Sequence, residues 1–181
     1  MKTLFRAVTL IALITLTTDA FAASDGTVGS TSTGQSTITL TIPEYVIVRN
    51  MNDFALGSWN GTAAIDSNDD ISIAGNDDQG TPTYQVTLSG SGAASAFTIS
   101  RTAPAVGPAL AYTVAFNDQT GTAGGAAATA TVAITGQTGI HTALDTVTTN
   151  ANIRVQISLA ALQAAPRGSY SGTLTIVVAP E

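Results

Sequence analysis

In residues 36–42, Ser-Thr-Ile-Thr-Leu-Thr-Ile, hydroxyl and aliphatic side chains alternate without interruption from Thr37 to Ile42. Because successive side chains of a β-strand point to opposite faces, this stretch would carry Ile38, Leu40 and Ile42 on one face and threonines on the other. Isoleucine and threonine are branched at Cβ and favour extended backbone. We call residues 36–42 the N-terminal ribbon. It is either the first strand of its own domain or a strand offered to another molecule.

The first 22 residues have the organisation of a secretory signal. Lys2 and Arg6 supply a positive start, residues 7–16 form a short apolar run, and residues 20–22, Ala-Phe-Ala, fit the small-x-small cleavage rule. The apolar run is too short to span a bilayer, and no second run of about 20 apolar residues follows it. We expect an exported mature chain that begins at Ala23; the alternative is an uncleaved membrane anchor.

The charge of the mature chain argues against two classes of partner. Without Lys2, Arg6 and Asp19, the chain keeps 4 of its 6 cationic residues and 11 of its 12 acidic ones, a net charge of −7. The remaining arginines are scattered, whereas nucleic acids and anionic membranes need clustered cations. The chain has no cysteine, so its stability must come from burial and hydrogen bonding. Only 10 % of residues are charged, which favours an exported β-protein over a cytosolic enzyme.

The rest of the chain predicts short strands separated by turn residues. Residues 23–35 are rich in Gly, Ser and Thr and are expected to form a flexible leader. We expect a loop at 121–127, two acidic loops within 66–80, and about one helical turn at 160–165, before Pro166. Eight or nine strands at fairly regular spacing predict an antiparallel sandwich over residues 36–181. The predicted strands are 38–48 with a break at Pro43, 71–74, 83–88, 96–100, 110–116, 129–134, 153–159 and 170–178.

The sequence offers no constellation for catalysis. His141 is the only histidine, no G-x-S-x-G elbow occurs, and the acidic pairs at 69–70 and 77–78 are adjacent, so their side chains point apart. The glycine-rich stretch at 121–125 lacks the lysine and the following helix of a phosphate-binding loop. We therefore expect neither enzymatic activity nor a cofactor.

One acidic stretch is a weak candidate for calcium binding. Asp66, Asn68 and Asp70 place oxygen ligands at alternate positions, as the start of an EF-hand loop does. The glycine that such a loop requires is replaced by Ile71, and no glutamate closes it. Asp77 and Asp78 could complete a non-standard site; the alternative is that both loops are simply solvated.

Several segments, taken together, resemble one family. They are the small-residue leader ending at 32–35 (Ser-Thr-Gly-Gln), the alternating ribbon, residues 51–59 (MNDFALGSW) and the final strand region 168–178 (GSYSGTLTIVV). The combination resembles the pilin subunits of chaperone–usher fimbriae, most closely the archaic branch with the spore coat protein U-like domain. It is more distantly similar to the alternate-type colonisation-factor pilins. The C-terminal pattern is the more specific of the two ends.

The resemblance implies a fold and a mode of assembly. Such pilins have an immunoglobulin-like sandwich that lacks its last strand. A periplasmic chaperone fills the gap, and an outer-membrane usher then exchanges the chaperone for the N-terminal strand of the next identical or related pilin. By position, the donor side chains would be Ile38, Leu40 and Ile42. The acceptor groove, which also pairs with the chaperone, would be formed by Tyr170, Leu174, Ile176 and Val178, with the carboxylate of Glu181 as a nearby anchor.

The resemblance therefore predicts a subunit of an adhesive fimbria that passes through the periplasm to the cell surface. One departure is the missing cysteine pair, which spore coat U-like subunits usually carry. The alternative is a monomeric secreted or surface sandwich that binds a ligand or calcium and keeps its first strand in its own sheet. A secreted hydrolase is a third reading, for which the sequence supplies no nucleophile–base pair.

Overall fold

A computed structural model describes residues 23–76, 81–103, 107–141 and 148–181, so the predicted signal at 1–22 lies outside the described residues. The chain divides after Ile42 into two units, and every sheet belongs to Pro43–Glu181. A 3₁₀ turn spans Ala93–Ser95, and one helix, α1, spans Leu159–Ala164. The strands are β1 Val46–Arg49, β2 Ile65–Gly75, β3 Thr83–Gly90, β4 Thr98–Ala103, β5 Leu110–Ala111, β6 Thr113–Asn117, β7 Ala126–Ala127, β8 Ala133–Thr138, β9 Ile140–His141, β10 Ala151–Ile157, β11 Ser169–Ser171 and β12 Leu174–Pro180.

The first layer is a six-stranded sheet in the order β1-β2-β10-β6-β7, with β9 added beside β2. All its pairings are antiparallel except β9 with β2. The longest pairing joins β10 to β2, from Ala151 opposite Ile71 to Ile157 opposite Ile65. Apolar residues on alternate positions of β10 and β6, such as Val155 opposite Val114, fall on the same face and are buried.

The second layer consists of two three-stranded sheets, β12-β3-β8 and β11-β4-β5. Strand β3 shows the expected period of two, because Tyr84, Val86 and Leu88 are buried while their neighbours are half-buried. The chain moves from one small sheet to the other at Gly172, where an added Cβ would lie 2.8 Å from Ser91 Oγ. A larger residue at this crossing would therefore displace its neighbours.

The core lies between the layers and contains side chains from both. Tyr84 on β3 meets Phe116 on β6 edge-to-face, with ring centroids 6.4 Å apart and an interplanar angle of 83°. An all-β, immunoglobulin-like antiparallel sandwich was predicted, and the structure confirms it. The buried cluster is Ile71, Ile73, Tyr84, Val86, Leu88, Leu110, Tyr112, Val114, Phe116, Ala151, Ile153, Val155, Ile157 and Leu162.

The prediction of an acidic loop before residue 71 is wrong. Strand β2 begins at Ile65, so Asp66, Asn68 and Asp70 lie on a strand rather than in a loop. Local propensity disfavours Asp and Asn in strands, but polar partners on β10 satisfy these side chains on the outer face of the sheet. Tertiary pairing therefore overrides local propensity here.

Other boundaries also differ from the sequence prediction. The strand expected at 129–134 begins later, at Ala133, as β8. The chain turns at Thr131, whose φ is +65°, before that strand starts. The segments 110–116 and 170–178 are each split into two strands, the 96–100 strand is displaced to β4, and the loop at 121–127 contains β7. The helix is six residues long and is capped by Ser158 Oγ, which accepts a hydrogen bond from Ala161 N at 3.2 Å.

The unit before Pro43 contains one local pairing. Ser24 and Gln35 exchange two backbone hydrogen bonds of 3.0 Å and close the loop between them. Residues 36–42 belong to no strand of the described chain. No helix within the described residues has the length and hydropathy needed to cross a bilayer.

Candidate docking groove

Two of the edge strands of the sandwich, β1 and β12, lie close to each other. β12 pairs with β3 at the edge of its sheet, and β1 pairs with β2 at the edge of the larger sheet. Cα atoms of β1 and β12 approach within 8 Å of one another, so these two edges lie side by side. Among the described residues, no strand occupies the outer side of either one. The sandwich is therefore open along one margin.

The aliphatic side chains at this margin are incompletely covered. Those of β1 and β12 pack against the core yet are only half-buried, whereas Ile73 and Val86 on the adjacent strands are completely buried. A strand laid along the margin would cover the exposed part of each. We call this surface the open groove, formed by Val46, Val48, Leu174, Ile176 and Val178.

The register of β12 shows which backbone groups face β3. Opposed residues of an antiparallel pair alternate between pairs that exchange both backbone hydrogen bonds and pairs that exchange none. Glu181 N donates to Thr83 O at 3.2 Å, which makes this a bonded pair. Bonded pairs recur at every second residue along this register, so the residues of β12 whose backbone is hydrogen-bonded to β3 are Ala179, Val177 and Thr175.

The alternate residues of β12 direct their N–H and C=O groups away from β3, into the open groove. They are the same residues whose side chains face the core: Leu174, Ile176 and Val178. The bond from Thr131 N to Leu88 O, 2.9 Å, agrees with this assignment, because it shows Leu88, opposite Ile176, bonded away from β12. Pro180 shares their orientation but has no N–H, which is tolerated at a sheet edge.

The same reasoning applies to β1. The side chain of Asn150 accepts from Ile73 N at 2.7 Å and donates to Ile73 O at 3.0 Å, so both backbone groups of Ile73 point away from β1. Val48, opposite Ile73, therefore directs its own backbone groups outward, and so does Val46 two residues earlier. Within the part of the chain that the structure describes, both margins of the open groove thus present backbone groups without a strand partner beside aliphatic side chains.

The last residue fixes the end of β12. Thr83 Oγ1 donates to Glu181 O at 3.0 Å, and Gly136 N donates to the side-chain Oε2 of Glu181 at 2.6 Å. Gly136, with φ +67°, lies at an irregularity in the β3–β8 pairing, where its amide would otherwise lack a ladder partner. Both the main-chain oxygen and the side-chain carboxylate of Glu181 are therefore hydrogen-bonded to the sandwich.

The structure separates Tyr170 from the other predicted groove residues. Tyr170 lies on β11, in the other small sheet, and its hydroxyl donates to Pro166 O at 2.6 Å. A tyrosine that bonds to the backbone a few residues upstream is a device that fixes corners in immunoglobulin-like sandwiches. Leu174, Ile176 and Val178 are brought together on β12. Val46 and Val48 were not singled out from the sequence, because the run Val46–Val48 is continuously apolar and carries no alternation.

The predicted donor side chains are largely exposed in the single chain. Ile38 is 93 % exposed, Leu40 82 % and Ile42 68 %. Exposing three aliphatic side chains in alternation is unfavourable in water, and burying each would stabilise a complex by about 1.5–3 kcal/mol. The N-terminal ribbon therefore has the alternating pattern of a β-strand but is not part of a sheet among the described residues.

The calcium candidates lie on the outer face of the larger sheet and bond to neighbouring protein groups. Asp66 forms an ion pair with Arg154, whose hydrogen bond holds the pKa of Asp66 below its ordinary value. Asp70 accepts from Gly121 N at 2.9 Å and from Asn152 Nδ2 at 2.7 Å, and these bonds lower its pKa. Within the described ranges, no three His, Cys, Asp or Glu side chains are grouped to hold a metal, while 77 and 78 lie outside those ranges.

Comparison with known proteins places the fold but gives no family. No family description and no curated protein matches the sequence. Among solved structures, the chain is similar to a chain from a chaperone–tip adhesin complex of CFA/I fimbriae biogenesis, with a TM-score of 0.50 and 10 % identity. The similarity covers 75 % of this chain and 42 % of that one, so this chain spans less than half of its length. The chain thus shares an all-β, immunoglobulin-like fold with a protein of a fimbrial assembly complex.

Proposed function

We propose that this protein is a structural subunit of an extracellular adhesive fibre. In this proposal the N-terminal ribbon of one copy inserts into the open groove of the next. The observation that carries the proposal is a pair of neighbouring edge strands, β1 and β12, that have no outer strand among the described residues, in a chain that also carries an exposed, strand-like ribbon. The fold shared with a protein of a fimbrial complex supports it.

The chemistry of the ribbon suits the open groove. Side chains on one face of a strand recur every second residue, so Ile38, Leu40 and Ile42 have the same spacing as the three aliphatics of β12. Their burial contributes about 1.5–3 kcal/mol each, and each net backbone hydrogen bond about 0.5–1.5 kcal/mol. Strand addition of this kind combines main-chain affinity with side-chain selectivity. The threonines would remain on the outer face.

An open groove before assembly would be a hazard, because an unpaired sheet edge promotes aggregation. We therefore include a periplasmic chaperone that covers the open groove and an outer-membrane usher that releases it. The chaperone in the complex that contains the similar chain supports the first of these partners. Export to the periplasm and then to the cell surface completes the proposal.

Two deletions test the proposal. The mature chain, a variant lacking residues 23–35 and a variant lacking 23–42 are purified and compared by sedimentation and electron microscopy. We expect the first two to assemble into fibres and the third to stay monomeric or chaperone-bound, because only it lacks the ribbon. Fibres from the third variant, or a stable monomer from the intact mature chain, would refute the proposal.

A further inference from the structure

We propose that Pro180 sets the register in which the N-terminal ribbon docks. This inference rests on the proposed function and deepens it by assigning the pairing residue by residue. In the assigned register the ribbon runs antiparallel to β12. The opposed pairs are Ile42 with Leu174, Leu40 with Ile176, Ile38 with Val178 and Ser36 with Pro180.

The first step is the alignment of side chains and backbone. Directly opposed residues of neighbouring strands point to the same face, so the ribbon's aliphatics must lie opposite the core-facing residues of β12. Those residues also direct their N–H and C=O groups into the open groove. In antiparallel pairing, each of the three aliphatic pairs can therefore exchange two backbone hydrogen bonds while its side chains are buried.

The second step is the limit at Pro180. Its C=O can accept a hydrogen bond, but it has no N–H to donate, so the residue opposite it loses a bond for its carbonyl. Ser36, at the start of the ribbon, carries this loss in the assigned register. A shift of two residues toward the C-terminus of β12 would place Ile38 there instead and leave its buried carbonyl without a donor.

The opposite shift is also disfavoured, because it places Ile42 against Gly172, before β12 begins. One aliphatic side chain would then lose its neighbour on β12. The assigned register is thus the one in which all three ribbon aliphatics meet aliphatics and the missing donor falls at the ribbon's first residue.

Disulfide trapping tests the register, because the chain has no cysteine of its own. Outward-facing positions leave the buried pairs intact, and Val177, 56 % exposed, is one of them. In the assigned register Thr39 lies opposite Val177. Three double variants of the full mature chain combine Val177→Cys with Thr37→Cys, Thr39→Cys or Thr41→Cys. Directly opposed Cβ atoms are about 4.5–5.5 Å apart and diagonal ones about 7–8 Å, so only opposed pairs bridge readily.

After assembly and oxidation, we expect the Thr39 pair to give the dominant intermolecular disulfide. Pro180→Ala is then added to each double variant and restores a backbone N–H donor at position 180. It should raise the cross-linked fraction of the Thr41→Cys variant, which reports the register shifted by two residues toward the C-terminus of β12, by about two- to tenfold. Pro166→Ala, at a proline outside β12, serves as the control and should leave the distribution unchanged. Fibres in which the Thr37 or Thr41 pair dominates would overturn the register, and an unchanged distribution in Pro180→Ala would overturn the role of Pro180.

The two proposals fail differently in this experiment. If fibres form but cross-link at another pair, the further inference is wrong and the proposed function stands. If no fibre forms and no pair cross-links between chains, or if the disulfides close within single chains, the proposed function itself is wrong.

Discussion

Leu40, at the centre of the N-terminal ribbon, provides the sharpest test of the proposed joint. Its side chain is 82 % exposed in the single chain, so Leu40→Ala should leave the free energy of unfolding of one subunit almost unchanged. In the joint the same side chain would be buried opposite Ile176. Truncation of a buried leucine to alanine costs about 2–5 kcal/mol, and a groove that can partly collapse belongs at the lower end, about 2–3 kcal/mol. The joint should then weaken by about 30- to 150-fold.

The assay is the critical concentration for fibre assembly, measured by sedimentation of the full mature chain. The matched control is Thr39→Ala, an adjacent truncation on the outward face, which should raise the critical concentration by less than about fivefold through strand propensity alone. Equal effects of the two substitutions would refute the assigned faces of the ribbon. A loss of subunit stability in Leu40→Ala equal to its loss in assembly would show that Leu40 packs within its own subunit.

Three further predictions concern the stability of the sandwich, each measured by urea unfolding. Asn152→Ala should cost about 1–3 kcal/mol, because this buried side chain donates to Asp70 at 2.7 Å. The pKa of Asp66 is lowered by its hydrogen bond to Arg154, so this interaction stabilises the fold above the ordinary carboxyl pKa of 3.8 and is lost as pH falls below it. The loss of stability between pH 7 and pH 3 should therefore be smaller in Asp66→Asn. Tyr84→Phe should leave stability equal or higher, because the buried hydroxyl of Tyr84 has no partner among the described residues; a drop of more than about 1 kcal/mol would contradict this.

The parts of the fold that the sequence predicts are those governed by local periodicity. Strands β3, β10 and β12 alternate apolar and polar residues, and each occurs close to its predicted position. The helix ends where Pro166 requires it to end. Strand β2 could not be found this way, because its acidic half is held by side chains more than 80 residues away, such as Asn152 and Arg154. Such partners are determined by the topology of the sheet.

The candidate site, likewise, could be predicted from the sequence only where local alternation determines it. The aliphatics of the ribbon and of β12 follow from their alternation, and so their faces could be assigned. The other margin of the open groove, Val46 and Val48, depends on β1 lying beside β12, which no local pattern reveals. The direction of the backbone groups depends on individual hydrogen bonds, those of Glu181 and Asn150, that fix which residues of each strand are bonded.

An open groove and an exposed ribbon in the same chain constrain how such a subunit can be handled. Each alone is a liability, since one exposes strand edges and the other exposes alternating aliphatics. In the proposed assembly each would cover the other when two copies meet head to tail, and a heterologous contact of this kind propagates into a filament unless rotation closes it into a ring. The same complementarity would also favour premature assembly before the fibre is built. In the proposed assembly, a temporary occupant of the open groove would prevent this, and it would have to bind less tightly than the ribbon or be released by another protein.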